Sequence, residues 1–286
     1  MTQTLEQLSR QNNTLTSIRG IVRTMKTLSA INAAPYEQAA EAIEAYHETI
    51  LQGFAALAFR AGPALAATLA QPPIQRRLLI VFGSDHGLCG NYNDQVAELV
   101  GGQNKQAMSV LCIGARMHHA LSEQGLTPYK LLMPPASAEG IGRLAGDIVG
   151  EIEAFSRGDM LSELAVTLAF TERAEHGTRM AVIKPLLPLA KNLLQPIKHW
   201  SSPSLPDFNM PLESLLSSLV RNHLFVSVFR ASAEAMVTEN AARLALMQQA
   251  EQSVDERLGE VQGEMTTVRQ EAITTELMDI IVGHFD

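Results

Sequence analysis

Tryptophan occurs once, at Trp200, and aromatic residues make up only 5% of the chain. Cysteine occurs twice, as Cys89 and Cys112. Two thiols give neither a disulfide framework nor a metal-ligand spacing. No run of eighteen uninterrupted apolar residues is present, so no segment is predicted to cross a membrane. The opening Met1-Thr2-Gln3-Thr4-Leu5-Glu6 lacks the basic flank and apolar core of a signal peptide. A cytosolic protein is expected, with membrane attachment open only through a partner. The formal net charge of −8 excludes a general nucleic-acid binder, which needs a basic surface to displace counterions. What the chain does have is abundant Ala, Leu, Met and Glu, the composition of long helices.

Periodicity divides the 286 residues into three segments: 1–70 and 207–286, which read as helix, and 71–206, where strand-like and helix-like stretches alternate. The C-terminal pattern is the clearest. Val237, Asn240, Leu244, Met247, Glu251, Val254, Leu258, Val261, Met265, Val268 and Ala272 follow alternating steps of three and four, with polar breaks only at Asn240 and Glu251. A 3.5-residue period sustained this long specifies a supercoiled seam. A helix from about 211 to 282 would be roughly 100 Å long, which exceeds a compact domain. Leu5, Leu8, Leu15, Ile18, Val22, Met25 and Leu28 supply a second stripe. Pairing the two ends of one chain across an intervening domain requires an antiparallel coiled coil. Pro35 removes an internal hydrogen bond, so a kink or break is expected near 31–35. The competing reading of both stripes is burial in a helical bundle of the same chain.

The middle segment opens after Gln71-Pro72-Pro73. Leu78-Leu79-Ile80-Val81-Phe82 is the short apolar run of a strand buried on both faces. It leads into a glycine-rich loop, Gly83 to Gly90, and a helix from about Asn93. Further strands are expected at Met108 to Ile113, Tyr129 to Met133, Leu164 to Phe170 and Met180 to Leu187. The last two would pair through a turn near Glu175-His176-Gly177. A further helix is expected over 139–156. Such repeats imply an α/β domain with a mostly parallel sheet. The expected architecture is therefore a Rossmann-like parallel-sheet domain flanked by N- and C-terminal helices that form a long antiparallel two-helix coiled coil.

No catalytic, cofactor or metal constellation emerges. The loop at 83–90 fits neither the dinucleotide nor the phosphate-loop pattern, has no lysine, and carries Asp85, which would repel phosphate. Ser84, Asp85 and His86 are consecutive, whereas triad members must converge from separate places. Cys89 could be a nucleophile near His86, but it also suits a small buried apolar role. His118 and His119 are adjacent and face different directions. Arg19, Arg23 and Lys26 share one helical face, readable either as a solvated basic surface or as a stripe meeting an acidic partner. Near the other end, Ile273, Leu277, Ile280 and Ile281 lie among polar residues. Apolar side chains there would be exposed on a lone helix, which suggests a sleeve of another protein.

Three segments resemble the γ subunit of F-type rotary ATP synthases. The most specific runs from Val268 to Gly283 and follows the family frame Arg-Gln-x-x-Ile-Thr-x-Glu-Leu-x-Glu-Ile-x-x-Gly, with Asp279 in place of glutamate. Upstream, Ser232 to Met236 and Glu239 to Met247 are similar to the family stretch in which Glu-x-x-x-Arg-x-x-Ala-Met recurs. Ser84 to Asn93 looks like Asp-Arg-Gly-Leu-Cys-Gly-x-x-Asn. The first helix, Ser17 to Ile31, resembles its family counterpart but lacks the basic residues that usually follow. That departure suggests a divergent branch, such as the alternative, sodium-translocating F-type ATPase of some prokaryotes.

The resemblance implies a non-catalytic central shaft whose rotation inside a hexamer of α and β subunits couples ion flow to nucleotide turnover. The foot would dock on the ε subunit and the c-ring, peripheral to the cytoplasmic face of a prokaryotic inner membrane. It implies that Arg19, Arg23, Lys26, Arg269, Gln270, Thr274 and Glu276 meet the surrounding hexamer. Leu277, Ile280 and Ile281 would seat the apolar tip. Gly87, Leu88, Cys89 and Gly90 would shape the strand-to-helix turn rather than bind a ligand. No cofactor is implied. The alternative function is a Rossmann-like nucleotide- or phosphate-binding enzyme using the 83–90 loop. An unrelated coiled-coil scaffold is the third possibility and would lack the tip signature.

Overall fold

A computed structural model describes residues 4–68, 74–103, 108–156, 163–174, 178–194, 200 and 202–282. Helix α1 spans Leu5–Thr68, strand β1 Arg76–Phe82, α2 Tyr92–Gly101 and β2 Met108–Ile113. Then come α3, Ala115–Glu123, β3, Lys130–Leu132, and α4, Ile141–Ser156. Strands β4, Leu164–Arg173, and β5, Arg179–Leu187, precede α5, Leu212–Val282. Among the described residues no helix is long and apolar enough to cross a membrane. The expected Gln71-Pro72-Pro73 breaker and the Glu175-His176-Gly177 turn lie outside the described residues.

By internal packing the chain forms two compact units, one from residues up to Ala30 together with those from Arg243 on, the other Ile31–Ala242. The larger unit holds a five-stranded sheet in the order β3-β2-β1-β4-β5. All neighbouring strands are parallel except β4 and β5. Consecutive residues of β1 serve opposite faces. Leu78, Ile80 and Phe82 pack with α4 and with the parts of α1 and α5 in this unit, including Phe54, Leu57, Leu224 and Val228. Leu79 and Val81 pack with Val96 and Val100 of α2 and Met117 and Leu121 of α3. Both sides of the sheet are covered, which is why β1 is apolar from Leu78 to Phe82.

The kink or break expected near Pro35 does not occur as a break: α1 is one continuous helix through that position. Pro35 is exposed, so its ring is accommodated at the helix surface rather than in the core. The next residue, Tyr36, is buried against Ile141, Ala233, Met236 and Val237. Its hydroxyl reaches the Pro135 carbonyl at 3.4 Å. Tertiary packing on both helices and α4 thus outweighs one missing backbone bond.

In the smaller unit the two helices run antiparallel. Asn12 faces Gln262, Arg19 faces Asp255 and Arg23 faces Glu251, one numbering rising as the other falls. From Val237 to Val268 every member of the predicted α5 stripe is buried or half-buried, and Ala272 is exposed. The α1 stripe needs correction. Leu8, Leu15, Val22 and Ser29, spaced by sevens, face inward, whereas Leu5, Ile18 and Leu28 are exposed. The seam includes a serine and is flanked by cations, so selecting apolar letters alone picked the wrong turn at these positions.

Candidate functional site

The glycine-rich loop after β1 is a self-satisfied turn. The Ser84 amide donates to Asn93 Oδ1 at 2.9 Å, and Asn93 Nδ2 donates to Ser84 Oγ at 2.8 Å. Leu88 and Gly90 hold φ values of 63° and 65°, a left-handed conformation that glycine takes without steric cost. A β-carbon at Gly83 would come within 2.6 Å of Asn93 Oδ1 and 2.5 Å of Met117. Gly87 lies beside the Arg116 side chain. Two amides at the start of α3 are already engaged: Arg116 donates to the Ser84 carbonyl at 3.1 Å, and Ala115 to Asp85 Oδ1 at 3.4 Å.

Cys89 is buried, with its sulfur 3.5 Å from Ser84 Oγ. His86 offers this thiol its backbone carbonyl, at 3.9 Å, while its ring is 81% exposed. Cys112 is also buried, and burial pushes its thiol up to about 12. Among the described residues no group of three His, Cys, Asp or Glu side chains could hold a metal ion.

Strand order reverses at β1, between β2 and β4, and in α/β sheets the crevice beyond such strand ends is the usual ligand site. Here α5 fills it. Tyr92 donates its hydroxyl to the Ala235 carbonyl at 2.7 Å. Thr238 Oγ1 lies 3.0 Å from the Thr171 carbonyl at the end of β4. Cys89, Tyr92 and Ala242 form a small apolar cluster beside them. Burial, with the Glu239 carboxylate nearby, raises the Tyr92 phenol far above its ordinary value. Arg173 closes the same end: its amide and Nε both reach Glu234 Oε1, at 2.8 and 2.9 Å. Sequence reasoning missed this plug. Tyr92 and Ala235 are 143 positions apart, and no local pattern in the sequence signals the contact.

The basic trio finds its acidic partners within the chain. Arg23 Nε lies 2.7 Å from Glu251 and its other nitrogen 3.8 Å from Asp255. Arg19 is 3.4 Å from Asp255, and Lys26 also pairs with Glu251. Hydrogen bonds from Lys26 and then Arg23 hold the Glu251 carboxyl below its ordinary value. Arg23 nonetheless keeps 55% of its side chain exposed.

At the far end of α5 the picture reverses. Every residue from Arg269 to Met278 is exposed, as are Ile280 and Ile281. Thr274 Oγ1 donates to the Gln270 carbonyl of its own helix. Ile273, Leu277, Met278, Ile280 and Ile281 are each more than half exposed.

A family model described as ATP synthase matches residues 4–284. The chain is 27% identical over 276 residues to an ATP synthase gamma chain from Polynucleobacter necessarius, covering 93% of each. It is 29% identical over 222 residues to one from Ralstonia nicotianae, covering 73% of this chain and 74% of the relative. In fold it is similar to a chain of the Euglena gracilis mitochondrial ATP synthase OSCP/F1/c-ring assembly, with a TM-score of 0.65 at 13% identity, covering 98% of this chain and 93% of that one. A chain of the Tetrahymena thermophila central stalk/c-ring structure gives a TM-score of 0.56 at 18% identity, over 80% of this chain and 99% of that one. With an antiparallel helix pair and a match along nearly its whole length, the chain belongs to the ATP synthase family as a γ chain, a subunit of the central stalk.

Proposed function

We propose that this γ chain acts without a catalytic site of its own, as a shaft whose bare tip turns inside a hexamer of α and β subunits. The observation that carries this reading is the uncovered apolar row Ile273, Leu277, Met278, Ile280 and Ile281. An apolar surface of this kind on a helix end is favourable only when a partner removes it from water. Leu277, Ile280 and Ile281 would seat in an apolar sleeve, while Arg269, Gln270, Thr274 and Glu276 meet the loops around it. The exposed edges of Arg19, Arg23 and Lys26 would present positive charge to the same hexamer, even as they pair internally. Turning an asymmetric shaft would bias each catalytic site among open and closed states. The sheet unit would dock on ε and the c-ring, making the protein peripheral to the cytoplasmic face of a prokaryotic inner membrane.

Co-expression with the matching α and β subunits tests the reading. A stable hexamer containing one copy of this chain is expected, with ATP hydrolysis by the complex and none by the chain alone. Replacing Leu277, Ile280 and Ile281 together by serine should weaken retention of the chain in the complex at least tenfold without changing its melting temperature. Hydrolysis by the isolated chain, or full retention of the triple variant, would overturn the proposal.

A further inference from the structure

Where α1 crosses α5 within the sheet unit, two imidazoles meet. The rings of His47 and His223 stack with centroids 6.1 Å apart and planes 28° apart. Phe54 stands edge-on to His223 at 5.8 Å. His223 Nδ1 is buried and has no hydrogen-bond partner among the described residues. On the far side of the pair, Arg230 lies 3.4 Å from His47 Nδ1 and is held by Glu44 at 2.8 Å. Glu44 also approaches His47 Nδ1 at 3.6 Å.

The pair lines a cavity of about 780 Å³ between α1, α5, β4 and β5, whose wall mixes apolar and charged side chains. Its other charges are engaged with one another. On β4 and β5, Glu172 pairs with Lys184. Arg173 of β4 pairs with Glu234 of α5, and its guanidinium is also influenced by Glu41 of α1. Among the described residues no carboxylate forms an ion pair with His223. A proton on His223 would therefore add positive charge near Arg230 in a partly dehydrated place, where the Glu44 carboxylate is already held by Arg230.

We propose that the stacked His47–His223 pair is a proton-sensitive release for the crossing of α1 and α5: neutral imidazole lets the helices close, and protonation of His223 loosens them. Burial first, then His47 and Arg230, hold the His223 ring down to about 4, against an ordinary value of 6.5. The sign follows from proton counting. Between pH 6.5 and pH 4 the opened chain binds the proton and the closed one does not, so acid favours opening. Above pH 6.5 the closed crossing has its full stability, and the loss is complete below about pH 4. The opening equilibrium should rise about a hundredfold across that window.

Hydrogen exchange of the full-length chain at pH 7.5, 6.0 and 5.0, corrected for intrinsic rates, reads the crossing directly. Faster exchange is expected in segments 43–57 and 216–231 as pH falls, with the sheet strands unchanged. Imidazole resonances should show His223 titrating well below 6.5. His223→Phe keeps an aromatic ring and should abolish the pH dependence. Arg230→Gln leaves His223 in place but removes one nearby cation, so the titration of His223 should move upward, which a purely structural arginine would not cause. His223 titrating at its ordinary value, or unchanged pH dependence in His223→Phe, overturns the proposal. Should His223→Phe fail to fold, the wild-type titration and the Arg230→Gln shift decide it.

Discussion

The two compact units bury their apolar residues by different rules. In Ile31–Ala242, one continuous core fills one face of the sheet and a second fills the other. In the helix pair made of residues up to Ala30 and from Arg243 on, the buried apolar residues are few: Leu8, Val22, Met247, Leu258 and Val261. Ion pairs flank that thin seam, and apolar residues such as Ile21, Leu277 and Ile280 are left in water. A sheet covered on both faces is stable on its own terms. A two-helix seam offers each residue only one neighbour helix, so what it leaves bare has to be covered by something else.

The largest test strikes the denser unit. Phe54 is fully buried in the main core, and Phe54→Ala should cost about 3–5 kcal/mol in denaturant unfolding of the full chain. Val261→Ala, also at a fully buried position, should cost only about 1–2 kcal/mol, because a two-helix seam can close over the lost methyls. Equal losses at the two positions would break the contrast. Next in size is Tyr92→Phe, which removes the hydroxyl donated to Ala235. A loss of about 1 kcal/mol is expected, measured by the same unfolding curve. The smallest effect should come from Glu251→Gln, which removes the negative charge shared by Arg23 and Lys26. Local hydrogen exchange over 8–29 and 247–262 should quicken slightly, less so at high salt. The two units should also differ in acid. The Glu251 carboxyl is held below its ordinary 4.5, so its contribution is present above pH 4.5 and disappears as pH falls through the lower folded value. The His47–His223 crossing should give way at higher pH.

What could be read beforehand followed the range of each interaction. The α5 seam was legible because its period is local and repeats through residues 237–268. The strands were legible because burial on both faces makes them apolar runs, and the parallel order followed from the helices between them. The inner face of α1 was only partly legible, since Ser29, Arg19 and Lys26 occupy or flank a seam that a count of apolar letters assigns elsewhere. Pro35 was read by its local cost, whereas the anchor at Tyr36 comes from α4 and α5. At the candidate ligand crevice the loop itself could be dismissed from its letters. That Ala235 and Thr238 close off part of the crevice depends on contacts between residues far apart in the chain.

The ion pairs of the helix seam have a consequence beyond their small energies. Heptad seams repeat, so an antiparallel pair can slide by seven residues and still match leucine to leucine. Here such a slide would take Arg23 away from Glu251 and set it level with Leu244 or Leu258. Glu251 would lose both of its cations at once. The cluster at Arg19, Arg23, Lys26, Glu251 and Asp255 therefore works as an index mark: it singles out one alignment of two long helices whose apolar residues alone would accept several.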